Sequence, residues 1–408
     1  MSDRALQPVS PASGAATALD RWLLRTMMAA LPGAGYAVVL WDGSSAGKDR
    51  DLSVHIRDRG ALWQVIRDPS LHFGDLYSRG RIDVEGDLVT FLERTYAALE
   101  AGRGAGGSAL WKLWTGAAPS KRSIAAARDN IRRHYDLGNE FYALWLDRDA
   151  MQYTCAYFPE PGMTLEAAQC AKMDHVCRKL RLRPGQRVIE AGCGWGGLAL
   201  HMAREYGVQV RAWNISREQI RYATQKARAQ GLEGRVTFIE DDYRNIRGEC
   251  DAFVSVGMLE HVGPENYPAL GEVIDRCLAP EGLGLIHTIG RNRPEALNGW
   301  IQQQIFPGAQ PPSLGQMMAI FEPRGFSVLD IENLRLHYAR TLRHWMARYL
   351  AALDEVRAMR NAEFARAWHL YLAGSVAAFT SGTMQLFQVL FARGGNNALP
   401  ATRRHLYP

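Results

Sequence analysis

From about residue 183 the chain alternates short, apolar, β-branched runs with helical stretches. RVIEAGCG, VQVRAWNI, RVTFIEDD, CDAFVSVG and GLGLIHTIG are separated by LALHMAREY, REQIRYATQKARAQ and ALGEVIDRCL. Strands that each feed a helix predict a parallel sheet with helices on both faces. GFSVLDIENL supplies a further strand, and the remainder, from about 338, reads as helical and rich in Trp, Tyr and Leu. Residues 370–392, LYLAGSVAAFTSGTMQLFQVLFA, carry no formal charge and have the length of a membrane span. Their Ser, Thr and Gln side chains and the GSV and TSG interruptions favour a buried helix pair instead.

The 408 residues predict two or three domains. Residues 1–100 read as a small α+β domain. GYAVVLWDG and DLSVHIRD have strand alternation, and LVTFLERTYAAL has helical spacing. Between them, LHFGDLYSRGRIDVEGDL reads as turns around a short strand. Residues 101–123, AGRGAGGSALWKLWTGAAPSKRS, read as a flexible basic linker, and 124–408 as the larger, second domain. Trp111, Lys112, Leu113 and Trp114 beside Lys121 and Arg122 suit a lipid interface, but an aromatic pin holding the linker onto a domain is the favoured reading. The 48 Lys+Arg against 42 Asp+Glu give a net charge of +6. That balance favours anionic partners, whether headgroup, nucleic acid or nucleotide, without choosing among them. No basic stripe with interleaved aromatics points to nucleic acid. Six cysteines without C-x₂-C spacing read as reduced thiols of a cytoplasmic protein rather than as a metal site. The opening MSDRALQPVS lacks the pattern of a secretory signal.

The first strand runs into Glu190-Ala191-Gly192-Cys193-Gly194-Trp195-Gly196-Gly197 and then a helix. Glycines let the backbone turn tightly and meet a ligand without side-chain obstruction. A dinucleotide site expects G-x-G-x-x-G and an acid ending the second strand; here the loop is G-x-G-x-G-G and that strand ends Asn214-Ile215. A P-loop would need Gly-Lys-Ser/Thr. A carboxylate just before Gly-x-Gly fits S-adenosylmethionine better, since Glu190 can anchor its cationic amine. Asp242, ending the third strand, is placed to accept from an adenine amine, with Tyr243 beside it.

With these features the sequence resembles the cyclopropane-fatty-acid synthase family, which includes the mycolic-acid cyclopropane synthases. The likeness is carried by HYDLGNEFY (134–142), MQYTCAYF (151–158), EAGCGWG (190–196), SREQ (216–219) and EHVG (260–263), and spans about 130–395. The resemblance implies a class I methyltransferase: a doubly wound seven-stranded α/β sheet with helical insertions, beside the smaller N-terminal domain. It implies methylene transfer from S-adenosylmethionine to the cis double bond of an unsaturated acyl chain, usually in an intact phospholipid. It also implies a bound bicarbonate ion as the base, at positions matching Cys155, Glu260, His287, Ile289 and Tyr338, with 124–408 as the catalytic domain and 1–100 as an accessory domain for lipid binding or dimer formation. The ring faces of Tyr153, Tyr157, Phe158 and Tyr338 are expected to stabilise positive charge on the substrate. For the cofactor the resemblance adds Tyr153 and Thr154 near the methionine end, Gly192 and Gly194 in the loop, Gln219 near the ribose, and Asp242 with Tyr243 near adenine. Asn214 retains the capacity to bond a ribose, while Trp213 is bulkier than the family's usual residue.

The resemblance further implies a homodimer that meets unsaturated phospholipid at the inner face of the membrane. An acyl tunnel is expected between the C-terminal helices and the 291–325 insertion, with Trp300, Phe306, Met317, Met318 and Phe321 in its wall or simply in the core. C-methylation to a methyl-branched lipid, N-methylation of a small amine and a non-catalytic lipid-binding role are the rival readings.

Overall fold

A computed structural model describes residues 14–48, 51–104 and 137–407. The Trp111–Trp114 cluster and most of the expected linker lie outside them. The chain forms two compact units, neither continuous in sequence. The first takes the described part of 1–119 with Glu295–Pro307 and Leu342–Thr383; the second takes the described parts of 120–294 and 384–408 with Gly308–Thr341.

The first unit holds four short strands, β1 (Ala37–Val39), β2 (Ser45–Gly47), β3 (Ser53–Ile56) and β4 (Ile82–Glu85), in the order β2-β1-β3-β4. β1, β3 and the helix Leu88–Gly104 fall where periodicity predicts them, and β4 is the short strand expected among turns; β2, a Ser-Ala-Gly run, has no strand pattern in the sequence. The first part of the segment read as turns is different: Pro69–Ser78 is a helix. Asp68 caps it by accepting from the Leu71 amide at 3.1 Å, and Pro69 occupies its first turn. Gly74, which made the segment look like a turn, is there for packing. A Cβ at that position would sit 2.2 Å from Trp300 Cδ2.

The second unit is the doubly wound sheet. Its strands are β5 (Arg187–Ala191), β6 (Gln209–Asn214), β7 (Val236–Glu240), β8 (Cys250–Val256), β9 (Leu278–Gly290), β10 (Phe326–Asn333) and β11 (Gln385–Arg393). They lie in the order β10-β11-β9-β8-β5-β6-β7; β11 runs antiparallel to both neighbours and β5 to β9 are mutually parallel. Successive side chains of a strand face opposite sides of the sheet. Accordingly Val188, Val254 and Leu285 join one core cluster, and Ile189, Phe253 and Ile286 the other.

Residues 370–392 are not a helix pair. The helix Ala362–Ser381 stops at Gly382, whose φ is 83°, and Gln385–Arg393 is β11. Both faces of β11 are covered, so its sequence shows no polar alternation. An apolar run of this kind cannot be told from a buried helix by period alone. Among the described residues, no helix is long and apolar enough to cross a membrane.

Candidate functional site

Chain order reverses between β5 and β8, because the chain winds from β5 through β6 to β7 on one side and from β8 to β9 on the other. Crevices at such a switch point, at the carboxyl ends of the strands, are where open α/β sheets hold ligands. The Glu190 loop leaves the end of β5, and Glu260 sits in the short turn Leu259–His261 just past β8.

At the first position Gly192, Gly194 and Gly196 all have positive φ, at 84°, 52° and 80°. A Cβ on Gly192 would meet Met258 and one on Gly196 would meet Phe238, each under 3 Å, whereas Gly194 has open space beside it. Gly194 therefore offers a bare backbone to a ligand. Trp195 donates to Asn139 Oδ1 at 2.7 Å and packs its ring 5.0 Å from that of Tyr142, which is how the LGNEFY motif steadies the loop. Glu190 is buried, and its Oε2 has no hydrogen-bond partner in the protein. Burial pushes its carboxyl up to about 8, against the downward pull of Lys172. A buried carboxylate oxygen without a donor, next to an unobstructed glycine, fits the cationic amine of S-adenosylmethionine.

Asn214 is placed differently from its expected ribose role. Its Nδ2 donates to Gly194 O at 3.2 Å and to Gln219 Oε1 at 2.8 Å, and its Oδ1 accepts from the Ser216 amide. It ties the glycine loop to Gln219, whose own Nε2 is the buried donor without a partner. Asp242 is bound by Arg244 at 2.8 Å and 3.0 Å, so a contact to adenine would share an oxygen already in use. Tyr243 stands beside it under the same guanidinium, 5.3 Å from the ring centre. Trp213 is buried in the core, and its carbonyl receives the Gly192 and Cys193 amides.

Of the five expected anion positions, hydrogen bonds tie Glu260 to Ile289, and Cys155 to Tyr338 through Leu334. His287 and Ile289 lie on β9, and Leu334 O accepts from both Cys155 Sγ and the Tyr338 amide. Cys155 is fully buried and burial pushes its thiol far up, which leaves a thiol and no nucleophile. Glu260 Oε1 accepts from the Ile289 amide at 2.5 Å, while Oε2 has no partner. The Ile289 amide is thus already engaged by Glu260, and an anion bound there would share or displace that carboxylate oxygen. Burial pushes Glu260 up to about 7. His287 Nε2 is likewise buried without a partner, and burial holds the ring well below its ordinary pKa, hence neutral.

The aromatic expectation divides. Tyr157 is sandwiched between His175 (4.4 Å) and His337 (4.8 Å), and Arg340 stacks 4.1 Å over Phe158. Both Tyr157 faces and one face of Phe158 are occupied by other side chains. Tyr153 instead packs with Tyr142 and Trp145 beside the loop.

The helix Leu165–Lys179 carries residues that sequence reasoning missed. Gln169, Lys172, His175 and Lys179 are all fully buried. Gln169 Nε2 donates to Thr154 O at 2.9 Å, and Lys172 Nζ to Thr154 Oγ1 at 2.9 Å and to Gln152 Oε1. The helix thereby holds the QYTCAY segment across the site. The available signal was their spacing of three, three and four, which puts four polar residues on one face. Met317 and Phe321 belong to a core cluster of the second unit. Trp300 packs on Gly74, and Phe306 packs on Tyr371, in the first. Among the described residues no group of three or more His, Cys, Asp or Glu could hold a metal, and all six cysteines are free.

A doubly wound seven-stranded sheet with a glycine loop at its switch point defines the class: this is the fold of the class I, S-adenosylmethionine-dependent methyltransferases. Residues 122–389 match the family described as mycolic acid cyclopropane synthetase, and the chain belongs to that family. Residues 23–101 match a domain of unknown function. The chain is 35% identical over 383 residues to a probable fatty acid methyltransferase of Pseudomonas putida, covering 90% of this chain and 95% of that one. It is 43% identical over 273 residues to the cyclopropane-fatty-acyl-phospholipid synthase of Escherichia coli strain K12, covering 67% and 70%. Among solved structures it resembles a cyclopropane synthase from Mycobacterium tuberculosis, with a TM-score of 0.62 and 29% identity over 65% of this chain and 98% of that one. Coclaurine N-methyltransferase, at 20% identity and a TM-score of 0.61 over 79% of this chain and 99% of that one, shares the fold alone.

Proposed function

We propose that the protein transfers a methylene group from S-adenosylmethionine to the cis double bond of unsaturated acyl chains in membrane phospholipids, with bound bicarbonate as general base. The observation that carries this reading is the pair of buried, unpartnered polar atoms past β8 and on β9: Glu260 Oε2 and His287 Nε2. Buried polar atoms left unsatisfied are costly, and two of them, one just past β8 and one on its neighbour β9, call for a small polar ligand.

When bound, S-adenosylmethionine supplies an electrophilic methyl, and bicarbonate supplies the base that removes a proton from it once it has joined the alkene. Glu190 would accept from the cofactor amine, the Gly192–Gly194 turn would hold its carboxylate end beside the open Gly194, and Tyr153 with Thr154 would stand toward its methionine end. Gln219 donates to the ribose, and Asp242 with Tyr243 border the adenine. His287 donates to the anion through Nε2, joined by Tyr338, the Cys155 backbone and the Ile289 amide. Glu260, with its carboxyl near neutrality, orients the anion and shares its proton. The enzyme meets its lipid from the inner face of the membrane as a homodimer; the net charge of +6 suits an anionic surface.

A second reading, C-methylation of the alkene to a methyl-branched lipid, is favoured by the Pseudomonas putida relative, whose name specifies a fatty acid methyltransferase and which matches across 90% of the chain. The two differ only in which carbon then gives up the proton: the added methyl in cyclopropanation, or a neighbouring chain carbon in C-methylation, which keeps the methyl whole and leaves a double bond in the chain. Mass spectrometry of phospholipids incubated with trideuteromethyl S-adenosylmethionine separates them. Cyclopropanation transfers two of the three deuteriums and removes the alkene. Retention of all three would establish the methyl-branched product, and an unchanged lipid would overturn both readings.

A further inference from the structure

We infer that Glu332, Lys179 and Gln388 form a positioning relay that fixes which ring nitrogen of His287 carries the proton, leaving Nε2–H as the donor. The consequence for activity rests on the reading of His287 as a donor to the anion; the relay itself rests on geometry alone.

The sheet register places the parts. Glu332 of β10 pairs with Gln388 of β11, and Gln388 pairs with His287 of β9, so the three stand in one row on one face. Lys179, the last residue of Leu165–Lys179, reaches this row, and all but Glu332 are almost fully buried. Lys179 Nζ donates to Glu332 Oε2 at 2.6 Å and to Gln388 Oε1 at 2.8 Å. His175 Nε2 lies 2.6 Å from the same Glu332 oxygen. Although burial raises the Glu332 carboxyl, the hydrogen bond from His175 and the charge of Lys179 bring it down to about 2, so it stays ionised.

An ammonium has donors and no acceptor. Facing Lys179, Gln388 must therefore present Oε1, which turns its NH₂ toward His287 Nδ1 at 3.1 Å. An amide NH₂ only donates, so Nδ1 accepts. In a neutral imidazole the proton then belongs to Nε2, the nitrogen with no partner in the protein. The charged and titratable groups acting on the ring are Lys172, Lys179, Glu332 and His175. Only Lys179, through Gln388, dictates the tautomer by contact. Without its ammonium, Gln388 can rotate by half a turn and accept from Nδ1–H. Nε2 would then present a lone pair to an anion.

The test is long-range ¹⁵N–¹H correlation on histidine-labelled protein, with the His287 resonance assigned by its loss in His287→Gln. The wild type is expected to show the neutral Nε2–H tautomer. Lys179→Met is expected to shift it toward Nδ1–H and to raise the bicarbonate concentration for half-maximal turnover by about 10–100-fold, as for other outer-shell partners. S-adenosylhomocysteine affinity is expected to stay unchanged. A wild-type His287 protonated on Nδ1 would overturn the relay without reference to any variant, and so would an Nε2–H tautomer that persists in a folded Lys179→Met. If the tautomer responds as expected but wild-type turnover ignores bicarbonate, the relay stands and the anion reading falls.

Discussion

At the scale of single residues, the site is built from carboxyls kept short of donors. Glu190 is buried with Oε2 unpartnered and its carboxyl pushed up to about 8. A cationic amine prefers the ionised form, so binding expels the proton. Affinity for S-adenosylhomocysteine should therefore rise with pH, by up to roughly tenfold per unit, and level off near pH 8. Titration calorimetry from pH 6 to 9 measures this, and Glu190→Gln should bind weakly with no such slope. A pH-independent wild-type affinity would remove Glu190 from the amine site. The sequence made this acid legible through its place before Gly-x-Gly. It did not make legible that Asn214 would turn inward to Gly194 and Gln219, because contacts among neighbouring loops carry no spacing signal. Cys155, Glu260, His287, Ile289 and Tyr338 lie far apart in the chain, and only family likeness proposes them as one set; no periodicity does.

At the scale of elements, the helix Leu165–Lys179 links the two parts of the site. Lys172 holds Thr154 and Gln152 and depresses Glu190, while Lys179 leads to Gln388 and His287. Burial itself lowers Lys172 to about 8, against the pull of Asp147 and other neighbours. Lys172→Met should raise Glu190 further and move the pH dependence of cofactor affinity upward, with a loss of about tenfold or more at pH 7 by calorimetry. An unchanged profile would show that Lys172 acts only in packing. Alternating sequence made the parallel strands readable, since each is an apolar run bounded by turn residues. It failed where burial covers both faces, as in β11, and where a small residue serves packing, as in the helix Pro69–Ser78. There, Gly74→Ala should cost about 1–3 kcal/mol by overpacking against Trp300, measured by thermal or denaturant unfolding. A neutral effect would mean that Trp300 can swing aside freely.

At the scale of the whole molecule, burying groups short of partners at the site costs stability, and pH exposes that cost. Glu190 holds its proton in the folded state up to about pH 8 but releases it near pH 4.3 when unfolded. Its contribution is therefore complete below pH 4.3 and lost as pH rises toward 8. Below pH 6.5, His287 and His337, both held down chiefly by burial, act in the opposite sense. The melting temperature should accordingly fall between pH 6.5 and 8, and this fall should shrink in Glu190→Gln. A wild-type melting temperature that climbs across this window would contradict the electrostatics drawn for the site. Fold class was legible at this scale because one β-α alternation dictates the doubly wound sheet. The assembly of each compact unit from separated segments was not, since no local pattern marks Leu342–Thr383 as a companion of the N-terminal segment.

The central claim is that the Glu260 and His287 cluster holds the anion that takes the proton. Its most direct test is turnover of unsaturated phospholipid in carbonate-free buffer, with and without added bicarbonate, for the wild type and Glu260→Gln. We expect wild-type turnover to rise with bicarbonate and to saturate. Glu260→Gln should bind S-adenosylhomocysteine normally but lose about 10²–10⁴-fold in kcat. Wild-type turnover indifferent to bicarbonate, or a Glu260→Gln enzyme that turns over normally, would contradict the account.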